Sequence, residues 1–229
     1  LQTPGEKQLI NTISSFLARQ KNSKPLIINV GAGGSQVIEK SLLDKGNLFM
    51  SDRLDVEDKP VKSSYIRNFY HCSAEDMQGI DDNQYDLAFS NYVLEHIVKI
   101  PEASKEIERI LKPGSIYVAS IPNPSAPQFI IAKYTPLWFH KWVRGTNAWK
   151  TFYSYKNIVM LKKLFKESGM ETIDVKYYSF TEDQLSRFFL LKPLGRLYDK
   201  ILNYLEVKSI MGDVCIVFQK PFADMDVSD

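Results

Sequence analysis

At 229 residues, with 44% hydrophobic and 24% charged content, the chain has the apolar material for one sizeable core, which excludes a disordered or fibrous class. A formal net charge of +2, carried by basic residues spread along the chain, excludes the electrostatic footprint of a nucleic-acid binder. Cys72 and Cys215 lack metal-ligand spacing and read as reduced thiols; with no long apolar run and no signal-peptide pattern, the expected location is cytoplasmic.

Residues 6–20 set Leu9, Ile10, Ile13, Phe16 and Leu17 at helical spacing and predict an amphipathic first helix. Next, "LIINV" (26–30) reads as a buried strand, "SQVIEKSLLDKG" as a helix stopped by Gly46, and "NLFMSD" (47–52) as a second strand ending at Asp52. "YIRNFYHC" (65–72) and "YDLAFSN" (85–91) read as strands, and "EASKEIERILKPG" as a helix ended by Lys112, Pro113 and Gly114. "SIYVASIP" (115–122) is the fifth strand. Apolar strands alternating with helices predict an α/β fold with a mostly parallel sheet covered on both faces.

After Pro122 the texture changes. Residues 123–155 gather several prolines and all three tryptophans and read as an excursion from the sheet. A helix (157–169), a strand at "ETIDVKYYSF", a helical stretch over 181–206 and a last strand at "DVCIVFQK" (213–220) follow, with no internal repeat.

Ligands of open parallel sheets lie at the carboxyl ends of the strands, and Gly31, Gly33 and Gly34 follow the first strand. A dinucleotide wants G-x-G-x-x-G, yet the sixth position is Gln36, which weakens a nicotinamide or flavin assignment. S-adenosylmethionine carries no phosphate and needs only the open turn. An adenosine ligand also wants a carboxylate for its ribose about twenty residues further on, and Asp52 is the expected one.

"INVGAGGS", "MSD", "CSAEDM", "YDLAFSNYVLEHI" and "EIERILKPGSIYVASIPN" follow one another as the corresponding blocks do in class I S-adenosylmethionine-dependent methyltransferases. Residues 26–123 resemble most the broad branch with the ubiquinone and menaquinone biosynthesis enzymes. The resemblance implies a Rossmann-like seven-stranded sheet, mostly parallel with its last strand antiparallel. It implies one methyltransferase domain with an N-terminal helix (1–24), a cofactor-binding core (26–122), an aromatic lid insertion (123–155) and a second sheet half (156–220) with a helical insertion at 181–206. It implies S-adenosylmethionine as cofactor, held by Asn29, Gly31, Ala32, Gly33, Asp52, Arg53, Ser73, Ala74, Glu75, Asn91 and Tyr92, with the stem of Arg53 flanking the adenine.

Three positions depart from the family pattern: Asn29 replaces an acid, Ser35 the last glycine, and Ser73 an aspartate.

The implied reaction moves the methyl group by in-line displacement to a small-molecule acceptor, with oxygen the favoured target. His96 is a candidate general base or a brace for the helix after the fourth strand, and His140 a second candidate at the acceptor pocket. Glu95 and His96 are too few ligands to predict a metal. Trp138, Phe139, Trp142 and Trp149 either pack or line a pocket for an apolar, aromatic or lipid-linked acceptor. The same segment carries Lys133, Lys141, Arg144 and Lys150 and suits a lid touching a membrane surface. A non-catalytic binding module of the same fold is the alternative, favoured by Asn29; a nicotinamide-dependent oxidoreductase ranks below it.

Overall fold

The structure is a computed structural model and describes residues 2–20, 24–127, 151–185 and 192–222. Helix α1 spans Pro4–Leu17, opened by Thr3, whose hydroxyl accepts from the Glu6 amide while the Glu6 carboxylate accepts from the Thr3 amide. This reciprocal cap satisfies two amide groups that a helix start leaves unpaired. Then come β1 (Leu26–Val30), α2 (Val37–Asp44), β2 (Met50–Asp55), β3 (Ile66–His71) and β4 (Tyr85–Asn91). A short turn of 3-10 helix at Leu94–His96 leads into α3 (Ile100–Ile110) and β5 (Leu111–Pro122). The second half holds α4 (Ile158–Glu167), β6 (Glu171–Tyr178), α5 (Thr181–Gln184), α6 (Lys192–Leu205) and β7 (Asp213–Gln219).

The seven strands form one sheet in the order β3-β2-β1-β4-β5-β7-β6. Strands β1 to β5 pair in parallel, and β7 runs antiparallel between β5 and β6.

Successive strand residues point to opposite faces, which explains why these strands read as uninterrupted apolar runs. Ile28, Ala88, Tyr117 and Phe218 pack with Ile107, Leu161 and Phe165, so α3 and α4 cover one face. Ile27, Leu87, Phe89 and Val217 pack with Leu9, Ile13, Ile38 and Leu42, which puts α1 and α2 on the other. Phe165 and Phe218 stack at 4.0 Å in the first layer.

Two predicted boundaries are corrected. Helix α3 stops at Ile110, and Lys112, Pro113 and Gly114 belong to β5, where pairing with β4 shifts register between Tyr85 and Leu87. Strand β2 does not end at Asp52 but runs on to Asp55, pairing Asp52, Arg53 and Leu54 with β1. The helical stretch after β6 is divided between α5 and α6. Both cysteines are free thiols, and burial pushes Cys215 up to about 12.

Candidate active site

Strand order runs outward in opposite directions from the β1–β4 pair, so a crevice opens at their carboxyl ends. Gly31 leaves β1 with φ +71°, and a Cβ there would stand 2.5 Å from the Val93 side chain. Only glycine meets both demands. The turn is tied to β2, since the Gly31 and Ala32 amides donate to the Leu54 carbonyl at 2.8 and 3.0 Å.

A cleft of about 600 Å³ lies over this turn. Its walls are Gly31, Gly33 and Gly34, the end of β2 at Asp55 and Val56, Ser73 to Glu75, the loop after β4 with Tyr92, Val93 and His96, and Phe152. Seven of the predicted residues therefore meet here: Gly31, Gly33, Ser73, Ala74, Glu75, Tyr92 and His96. Ala32 is buried in the turn, and the Asn91 Oδ1, one residue before Tyr92, is buried without a hydrogen-bond partner.

Asp52 and Arg53 are not on the cleft wall. Asp52 is fully buried, and its Oδ1 accepts from Arg67 Nε and the Asn68 amide, each at 3.0 Å. Its Oδ2 accepts from Arg67 Nη2 at 2.6 Å and the Tyr85 hydroxyl at 2.7 Å. Burial, followed by the bond to Asp52, pushes the Tyr85 hydroxyl far above its usual range. Arg53 is also fully buried, and Nη2 donates to the carbonyls of Ala32 at 2.9 Å, Gly33 at 3.2 Å and Ser35. It props the glycine turn from beneath instead of flanking a ligand.

The acid that ends β2 on the wall is Asp55, which sequence reasoning passed over. Its Oδ2 accepts from the Gly33 amide at 2.6 Å and its Oδ1 from the Glu57 amide at 2.8 Å. Each oxygen keeps a second lone pair for a ligand hydroxyl.

Asn29 also points away from the cleft. It donates to Glu39 Oε1 at 2.8 Å, and Glu39 pairs with Arg53 Nη1 at 3.5 Å, both side chains fully buried. Glu75 has a structural task as well, because Oε1 accepts from the Val98 and Lys99 amides at 3.0 Å each, just ahead of α3.

Tyr92 adopts φ +55°, and its hydroxyl donates to Asp213 Oδ1 at 2.8 Å and lies 3.0 Å from Thr3 Oγ1. Asp213 Oδ2 accepts from the Gly5 amide at 2.7 Å. Burial is the main reason the Asp213 carboxyl is raised above the usual carboxylate value, with its hydrogen bonds opposing.

His96 is 30% exposed at the cleft, with Nε2 3.9 Å from Glu95 Oε1. The Glu95 carbonyl accepts from the Phe152 and Tyr153 amides, so the chain returning from the aromatic excursion closes onto this loop. His140, Trp138, Phe139, Trp142, Trp149 and the basic residues between them lie outside the described residues. Among the described residues no group of three His, Cys, Asp or Glu side chains could hold a metal ion, and no helix is long and apolar enough to cross a membrane.

Residues 28–119 match the family described as "Methyltransferase domain". The matched stretch runs from β1 into β5 and carries most of the cleft wall. Among curated proteins the chain is similar to the ubiquinone biosynthesis O-methyltransferases of Dinoroseobacter shibae (27% identical over 161 residues, 66% of this chain) and Roseobacter denitrificans (24%, 67% of this chain). The matched stretch spans 61% and 63% of those relatives' own lengths.

Among solved structures, an S-adenosylmethionine dependent methyltransferase from Mesorhizobium loti has a TM-score of 0.59 at 13% identity, over 93% of this chain and 97% of that one. Phosphoethanolamine N-methyltransferase 2 of Haemonchus contortus in complex with S-adenosyl-L-methionine gives 0.58 at 15% identity, over 94% and 52%. Both likenesses concern the fold.

The cleft fits S-adenosylmethionine on its own geometry. A Cβ added at Gly33 or Gly34 would meet nothing within 4 Å, so bare backbone faces open space. Asp55 stands at the end of β2, and Val56, Ala74 and Ile97 offer apolar wall.

Proposed function

We propose that this protein transfers a methyl group from S-adenosylmethionine to an oxygen of a small-molecule acceptor. The observation that carries the reading is the convergence of a bare glycine turn, a strand-end carboxylate and a histidine on one cleft of about 600 Å³. The cofactor, when bound, supplies an electrophilic methyl group on a sulfonium. Asp55 accepts from the ribose hydroxyls, and Val56 and Ala74 flank the adenine. Asn91 Oδ1, buried and unpartnered, offers an acceptor to the ammonium end of the cofactor, whereas Asn29 is engaged with Glu39 behind the turn.

In-line displacement needs alignment and exclusion of water more than it needs charge chemistry. Val93, Ile97 and Phe152 form the dry side of the cleft and favour an apolar or ring-bearing acceptor. His96 takes the acceptor's hydroxyl proton, held near Glu95 and open enough to pass it to water. The Roseobacter denitrificans and Dinoroseobacter shibae relatives are O-methyltransferases by name, which supports oxygen as the target. The reading places the work in the cytoplasm.

The binding-module alternative drew on the missing acid at Asn29. That amide is bound to Glu39 behind the turn, so its neutrality leaves the cleft unaltered. Titration calorimetry with S-adenosylhomocysteine, followed by methyl transfer from labelled cofactor to a panel of catechols and prenylated phenols, tests the proposal. Saturable heat and labelled ether products are expected; the absence of heat, or a preference for a nicotinamide dinucleotide, would overturn it.

A further inference from the structure

Tyr92 carries a backbone conformation that its own side chain disfavours. Among the described residues other than glycine, Asn83, Tyr92, Tyr153 and Glu206 have positive φ, and of these Tyr92 alone lines the cleft. At φ +55° a tyrosine is strained by its Cβ, and such strain persists only where surrounding bonds over-determine the position. Both ends of the residue are held. The Tyr92 amide donates to the Ser120 carbonyl of β5 at 2.8 Å, and the hydroxyl donates to Asp213 Oδ1 at 2.8 Å, with Thr3 Oγ1 3.0 Å from the same oxygen. A hydrogen bond to a carboxylate is of the same order as the cost of one left-handed residue, so loss of that bond lets the backbone relax.

Asp213 is a firm anchor for the hydroxyl. It opens β7, an interior strand, and pairs with Pro122 of β5 on one side and Tyr178 of β6 on the other. Its Oδ2 is fixed by the Gly5 amide at 2.7 Å. The residue is fully buried and forms no part of the cleft lining among the described residues. What Tyr92 hands on is geometry. The next residue, Val93, sets its side chain 2.5 Å from where a Cβ on Gly31 would stand, and its carbonyl accepts from the His96 amide at 2.8 Å, closing the turn Leu94–His96.

We propose that Asp213 is a positioning residue for methyl transfer, acting through Tyr92 to hold the turn that presents His96 to the acceptor. The inference rests on the methyl-transfer reading for its consequence and on the bond between Tyr92 and Asp213 for its cause. Asp213 meets no reacting atom. It removes freedom from the loop after β4, and a displacement of about 1 Å at a reacting group costs about 10²-fold in rate. The glycine turn is tied separately to the Leu54 carbonyl, so cofactor binding is spared.

The test uses the full chain as wild type, Tyr92→Phe, Asp213→Ala and the two combined, well below each thermal midpoint. Methyl transfer is followed with labelled S-adenosylmethionine and catechol as the acceptor probe. Each single variant should lose about tenfold or more in kcat, while the KM for S-adenosylmethionine stays within about threefold. The combined variant should be no slower than the slower single one, because Asp213 acts through Tyr92, whereas independent damage multiplies. Heteronuclear NMR of the imidazoles, with His96 assigned by the signal lost in His96→Gln, gives a readout apart from activity. The His96 signal should move in each variant and the His71 signal should stay. Should Asp213→Ala fail to fold, Tyr92→Phe, which removes a single oxygen, decides by its kcat and its His96 signal. A wild type that neither binds S-adenosylhomocysteine nor transfers a methyl group overturns the methyl-transfer reading and this proposal together. An active wild type beside variants with unchanged kcat, an unmoved His96 signal or losses that multiply overturns the proposal alone.

Discussion

Asp52 and Asp55 lie on one strand and do opposite work. Both oxygens of Asp52 are consumed inside the fold by Arg67, the Asn68 amide and Tyr85, whereas Asp55 fixes the glycine turn and faces the cleft. Asp55→Ala should weaken S-adenosylhomocysteine binding by about 1.5 to 3 kcal/mol, roughly 10- to 100-fold, the range for hydrogen bonds to a charged group. Asp52→Ala should leave that affinity within a few-fold of wild type, yet lower stability by about 1 to 3 kcal/mol, because the buried Tyr85 hydroxyl loses its acceptor. Calorimetry and urea midpoints on both variants would have to show the reverse ranking for this assignment to be wrong. The sequence hid the distinction because "DR" in the middle of a strand reads as its polar end. What permits a buried aspartate and arginine there is their partners, Arg67 and Tyr85 for one, Glu39 and three turn carbonyls for the other, and those partners are remote in sequence.

At the scale of elements, the strands were legible because burial on both sides leaves unbroken apolar runs: β1 and β4 fall where the pattern puts them. The end of α3 was not, since Lys112, Pro113 and Gly114 resemble a helix stop while they serve as an irregular entry into β5. The start of α1 carried a readable signal in Thr3 and Glu6, a capping box that hydrophobic spacing alone passes over. That helix start is also a structural clasp. Gly5 donates to Asp213, and a Cβ at Gly5 would fall 2.4 Å from Asp213 Oδ1, so the carboxylate and the helix cannot both keep their places. Gly5→Ala should therefore cost about 1 to 3 kcal/mol, the usual range for overpacking a filled site, and not yield the gain that alanine brings to an ordinary helix. A thermal midpoint at or above wild type would show that α1 moves away without penalty.

Over the whole molecule, the same clasp joins the N-terminal helix, the loop after β4 and the last strand through one buried carboxyl group. Thr3 and Gly5, Tyr92, and the head of β7 all converge on Asp213, which ties the covering layer of α1 to a wall of the cleft. Its folded-state affinity for a proton is raised above the ordinary 3.8, chiefly by burial, so the native protein holds that proton more tightly than the unfolded chain. Stability contributed by the group is then fully present below the unfolded value and is lost as pH rises toward the folded one. Glu6, also raised by burial, pulls in the same direction, while Glu106, lowered chiefly by its bond to Arg109, loses its contribution as pH falls. These opposing groups make the wild-type curve alone ambiguous, and the Asp213→Asn variant separates them, since Glu106 is common to both proteins. The stability of wild type relative to Asp213→Asn should fall as pH is raised from about 4 toward neutrality, with the direction set by tighter proton binding in the native state. Denaturant midpoints for the two proteins across that range give the difference directly. A difference that stays flat, or grows with pH, would mean that the carboxyl keeps its charge in the fold at no cost, and that Tyr92 and Gly5 compensate its burial completely.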